Sequence, residues 1–234
     1  MKFFSPKLHC LSSAFIALVF FSIFFLPGCL TPAKVDGWIA EEYPSTPSKP
    51  KTSDYISAKT VIDYHSTVPS ITHKEKNKVL PFIVYWRMES ALTSTLNESI
   101  PFNIFNSSLI NYASSKHLKD KLNGQKVELS IEKLPTSFSW TGVDHIIFLG
   151  IWYVEWSAVF IQPHNEDMVV SYRVLRDNQE TKKGIITIKD LNQRMFLKMF
   201  HYSGKKFLDR YLEAYNSNLQ TMSRQFVDRL TAEL

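Results

Sequence analysis

Glycine is scarce in this chain, seven residues in 234. Loops that cradle phosphates or dinucleotides need several glycines at fixed spacing, so those ligand loops are excluded. Cysteine is scarcer still: Cys10 and Cys29 are the whole supply, too few for a disulfide framework or a thiolate metal cluster. The longest largely apolar run, Leu11–Leu26, falls short of the roughly 20 residues that cross a bilayer as a helix. Basic residues exceed acidic ones only mildly, 27 against 22, which does not imply nucleic acid, whose binding calls for a clustered basic face. Neither a G-x-S-x-G elbow nor an H-E-x-x-H helix occurs.

The near misses fail for physical reasons. "HYSGKK" at 201–206 resembles a phosphate loop only in part: Met199 stands where the first glycine is needed and Lys206 where a hydroxyl must reach magnesium. "HNED" at 164–167 puts a histidine beside two acids, but consecutive residues in a turn do not converge on one metal. Asp144-His145 and Glu155 stand beside or inside a very apolar stretch. Asp144-His145 is either part of a catalytic set or, more simply, a hydrogen-bonded structural histidine, and Glu155 a carboxylate that reaches water. Lysines 74, 76 and 78, and 116, 119 and 121, read as solvated faces, with anionic lipid headgroups as the alternative partner.

What is present begins at the N-terminus. Lys2 and Lys7 precede the apolar run without an acid, and Pro27-Gly28 ends it because proline removes an amide donor and glycine weakens a helix. That order is a secretory signal segment rather than a span. Leu26-Pro27-Gly28-Cys29 resembles the lipobox of bacterial lipoproteins, with Leu26, Gly28 and Cys29 matching and Pro27 departing from the usual small or β-branched residue. The resemblance implies cleavage before Cys29 and covalent acyl and diacylglyceryl groups, palmitate among them, on that residue. Two or three acyl chains hold a protein to a membrane where one would not. Leu30, in place of the aspartate that retains such proteins at an inner membrane, implies the outer membrane, facing the periplasm, in a Gram-negative cell.

The expected domains are therefore 1–28, a cleaved signal; 29–54, the lipidated N-terminus and a tether; and 55–234, one globular domain. Pro32, Pro44, Pro47 and Pro50 lie among serines, threonines and lysines in the tether, a composition that stays semi-extended. Trp38 and Ile39 interrupt it and touch either the membrane surface or the domain. The 206 residues left after cleavage contain no second cysteine, so the core alone must hold the domain together.

Within it, Val79–Met88 reads as a strand, Glu89–Leu96 as a short helix, and 106–122 as a helix capped at Asn106-Ser107-Ser108, lined by Leu109, Ala113 and either Leu118 or His117 and stopped at Asn123-Gly124. Val127, Leu129 and Ile131 alternate with polar residues, the period of a half-buried strand. Met168–Arg176 and Ile185–Lys189 flank an eight-residue polar loop, Asp177–Gly184, in a hairpin. Leu208, Leu212, Tyr215, Leu219, Met222, Phe226 and Leu230 lay an apolar stripe along a helix of about thirty residues that Ser203 caps, packed either on a sheet or on a partner helix.

"IIFLGIWYVEWSAVFI", 146–161, is the unusual stretch. It reads as one strand, or as two segments broken near Gly150 or Glu155, with Phe148, Trp152, Trp156 and Phe160 on one face. A strand apolar on both faces needs cover on both. The segment before Val79 supplies it, or the aromatic face is a groove for an acyl chain or a docking face for another protein.

The expected fold is α+β: a two-layer sandwich with a mostly antiparallel sheet, two main helices on one face and a long C-terminal helix. Behind a lipobox and tether, this organisation resembles accessory lipoproteins of envelope transport and assembly, such as transporter-auxiliary lipoproteins and the lipopolysaccharide-assembly lipoprotein. That resemblance is one of topology and carries no residue across. The expected function is non-enzymatic: an envelope lipoprotein held to the membrane by its anchor, acting as an adaptor for a partner protein. It has no catalytic residue, metal or cofactor and does not bind nucleic acid. A lipid carrier using the aromatic face is the alternative, and a hydrolase a third.

Overall fold

A computed structural model describes residues 30–44, 51–60, 70–74, 78–81, 84–149, 152–197 and 203–234. The signal segment, Leu26, Pro27, Gly28 and Cys29, and the 45–50 part of the tether lie outside the described residues. The compact unit begins at Pro32 and runs to Leu234.

The tether expectation fails at Pro32–Glu42, which is a helix, α1. Proline suits the first turn of a helix because its missing amide has no partner there anyway. Val35 and Ile39 then fall one turn apart and are buried, and Trp38 packs 6.4 Å from Trp140. The Asp36 carboxylate accepts a hydrogen bond from Thr72, and Tyr43 donates to Asn216 at 2.7 Å. The folded domain therefore starts some twenty residues earlier than the proline content implies.

Strands β1 (Ile56–Thr60), β2 (Ile71–Lys74), β3 (Lys78–Pro81) and β4 (Tyr85–Thr95) follow. Then come helices α2 (Ser99–Ser115) and α3 (Leu118–Leu122) and strands β5 (Lys126–Lys133), β6 (Ser137–Leu149) and β7 (Trp152–Pro163). The chain ends in β8 (Met168–Arg176), β9 (Gln179–Ile188), β10 (Met195–Phe196) and α4 (Gly204–Glu233).

The fold is α+β. Its strands form two sheets, one ordered β1-β5-β8-β9 and one ordered β10-β7-β6-β4-β2, with β3 also pairing β4. All pairs are antiparallel except β1 with β5. Glu89–Leu96 is not a helix; pairing with β6 on one side and β2 and β3 on the other makes Glu89–Thr95 part of β4. Helix α2 starts at Ser99, not at Asn106, with Pro101 in its first turn. Asn106 is buried inside it and donates to the Lys51 carbonyl at 2.9 Å. The β8–β9 turn is only Asp177-Asn178, both at positive φ, a conformation that these two side chains tolerate.

The C-terminal stripe is core packing. All seven of its residues are buried, each contributing about 1.5–3 kcal/mol of transfer free energy. Ser203 caps the helix by accepting from the Lys206 amide. The first half of α4 covers the second sheet: Phe207 meets Trp140 at 5.3 Å, Tyr211 meets Phe138 at 4.9 Å, and Tyr215 donates to the Pro135 carbonyl at 2.6 Å. Its second half meets α2 through Phe226 and Phe105 and ends beside the first sheet, where Tyr172 donates to Glu233. One helix thus joins both sheets into a single core.

Candidate functional site: an aromatic arm

Strand β6 lies under α4 at Phe138 and Trp140 and then runs on for nine residues to Leu149, about 30 Å at a strand's rise. Its neighbours β4 and β7 extend with it. The antiparallel register pairs Tyr85 with Ile147 and Leu149 with Trp152, so the three strands form an arm whose last described pair is Leu149 and Trp152. Large apolar side chains stay in solvent at its end: Trp152 is 73% exposed, Leu149 60%, Val154 51% and Trp156 45%.

Directly opposed residues share a face, which assigns the expected aromatic set. Trp152, Trp156 and Phe160 alternate along one face of β7. Phe148 does not join them. It opposes Tyr153 and lies on the other face, where its ring meets Trp86 edge-on at 5.5 Å. The chain reverses between Leu149 and Trp152, near the break expected at Gly150, so even numbers on β6 face oppositely to even numbers on β7. Phe160 sits nearer the core end, against Phe196 and under the Arg194 guanidinium at 4.4 Å.

The face of Trp156 carries a polar group of residues that the sequence does not reveal. His145 stacks on Trp156 at 4.9 Å, nearly parallel, and its Nδ1 is 2.6 Å from the Tyr85 hydroxyl. Arg87 opposes His145 on β4 and pairs with Glu89 at 3.1 Å. Asp144 and His145, adjacent in sequence, point to opposite faces and form no catalytic set. Glu155 is exposed, as a carboxylate amid aromatics requires.

The "HNED" turn disperses its side chains. His164 meets Ser139 at 2.6 Å, Glu166 accepts from Thr136, and Asp167 accepts from the Asp190 amide. Among the described residues no group of histidine, cysteine or acid side chains could hold a metal ion, and no helix is long and apolar enough to cross a membrane. Ser139 and His164 have the chemistry of a hydroxyl–imidazole pair, extended by Thr93 at 2.9 Å. Ser139 is buried in the sheet, so this is a cross-strand hydrogen-bond chain rather than a nucleophile facing a substrate. Two surface clefts among the described residues, along Asn103–Ser115 of α2 and around Asp54 and Lys119, are lined mainly by polar side chains and do not suit an acyl chain.

Sequence reasoning missed Tyr85, Arg87 and Glu89 as neighbours of His145: the first two fell in an expected strand of unknown partner, and Glu89 in an expected helix. Only the β4–β6 register brings them together. No family model, curated protein or solved structure matches the chain.

Proposed function

We propose that this protein is a non-enzymatic accessory lipoprotein of a bacterial envelope, anchored through acylated Cys29, that binds a partner protein with the side of its arm. One observation carries the reading: an exposed Trp156 stacked on His145 and bridged to Tyr85, with Arg87 and Glu89 alongside. Tryptophan, tyrosine and arginine are the residues that dominate binding at protein interfaces, and here each lies against a neighbour on the same face.

The test places a photo-crosslinking amino acid at Arg87 in the living cell. The expected result is one discrete adduct with an envelope protein, abolished by Trp156→Ala while the fold is kept. Absence of that adduct, or an adduct indifferent to Trp156→Ala, refutes the docking face. Intact mass of the protein from its membranes checks the anchor. The expected species is the chain from Cys29 onward plus acyl groups.

A further inference from the structure

Beyond the Trp156 line, the end of the arm has a different character. Ile146–Val154 and Val79–Trp86 are two runs without a charged residue, and the register brings them together: Trp86 opposes Ile146, and the Phe148 amide donates to the Val84 carbonyl at 2.8 Å. The charges stop at one level. Arg87 opposes His145, and Glu155 opposes Ile146, so a polar collar crosses the arm just where the apolar end begins. From Ile146 to Leu149 the end extends about 10 Å.

This end is apolar on both faces: Ile147, Leu149 and Trp152 on one, Trp86, Ile146 and Phe148 on the other. A protein partner normally covers one face of a sheet; a medium that surrounds the end satisfies both. We infer that the end of the arm dips into the interface of the lipid bilayer in which Cys29 is anchored. Its length matches the roughly 5–10 Å depth of interfacial segments, and its Trp and Tyr residues are those enriched at that level. Among the described residues the outer edge of β7 is met only at Val159, Phe160 and Ile161, by Met195, Phe196 and the Leu197 amide, and hydrocarbon cannot satisfy the backbone groups of an open edge. That edge holds the arm at headgroup depth.

The direction of the chain agrees. Advancing along α4 from Phe207 to Tyr215 moves back along β6 from Trp140 to Pro135, away from the arm's end. Helix α1 runs the same way: Trp38 lies beside Gly204, Glu41 beside Lys205 and Tyr43 beside Asn216. The N-terminus of α1 therefore opens on the side to which the arm projects. Cys29 is three residues before Pro32, a reach of at most about 11 Å. This inference rests on the anchor proposed above and adds a second point of membrane contact to it. Because the collar mixes both signs of charge, contact with the bilayer is expected to be insensitive to salt.

Full-length protein reconstituted into phosphatidylethanolamine–phosphatidylglycerol vesicles, with and without bromine-labelled acyl chains, tests it. Brominated lipid is expected to quench the tryptophan emission, and Trp152→Phe to remove at least half of that quenching. Quenching that is absent, or equal in wild type and variant, overturns the inference. So does protection of Trp152 from aqueous acrylamide that grows with protein concentration and needs no lipid, which assigns the end to a second copy of the chain. Intact mass of the same sample separates the two readings. An acylated protein left unquenched loses only the insertion; an unacylated protein that is quenched through Trp152 keeps the insertion and loses the anchor.

Discussion

Gly184 faces Tyr172 across β8 and β9, and a Cβ placed on it would come within 2.8 Å of the Tyr172 ring. The ring is buried and its hydroxyl is fixed by Glu233 at the end of α4, so it has little room to yield. Gly184→Ala is accordingly expected to cost about 1–3 kcal/mol, the range for overpacking a fitted site, measurable as a lowered urea midpoint. An unchanged midpoint would mean that the Tyr172 ring moves freely. The glycine is visible in the sequence; its reason is not, because it depends on a residue twelve positions away. Phe148 makes the same point at the functional end: its aromatic character is legible, whereas its side of the sheet depends on where the hairpin turns.

Among the elements, α1 departs furthest from expectation. Four prolines between 32 and 50 dominate the composition, yet Val35, Trp38 and Ile39 have helical spacing and an apolar surface to meet. Replacing Ile39 with alanine is expected to destabilise the protein by about 2–5 kcal/mol, the cost of a large-to-small change in a core. A tether would tolerate it without effect in a denaturant titration. The second part of strand β4 was likewise illegible, since Glu89–Thr95 has no clean period and is a strand because its neighbours pair with it. By contrast, β5 and α4 were readable because each keeps one face in water, and the resulting period of two or of about 3.6 is written in the residues themselves.

For the whole molecule, buried tyrosines set a limit in alkali. Burial, with the Glu233 carboxylate beside it, pushes Tyr172 up to about 12. Burial also raises Tyr43, Tyr211 and Tyr215, with neighbouring acids and tyrosines adding to the effect. In the unfolded chain these phenols ionise near 10. Their folded values are higher, so their contribution is complete below pH 10 and is lost as pH rises from 10 through 12. Urea midpoints at pH 9, 10, 11 and 12 are expected to hold steady and then fall steeply. A midpoint independent of pH over that interval would contradict the burial of these hydroxyls. Because α4 carries Tyr211 and Tyr215 and touches both sheets, loss should be cooperative, with both sheets melting in one transition.

The sequence by itself determined the α+β class, the long capped C-terminal helix and the half-buried β5, since each follows from local period and end signals that survive without partners. It also supplied the scarcity of ligand loops and the apolar character of Ile146–Ile161. The tertiary structure decided where that apolar stretch turns, which aromatic residues share a face, and that His145 meets Tyr85 and Trp156 rather than Asp144. It also decided that a proline-rich segment is part of the core. Each of these depends on strand register or on a surface offered by distant residues. A shift of one residue in register sends every side chain to the opposite face, and no local pattern fixes that choice where both faces are apolar.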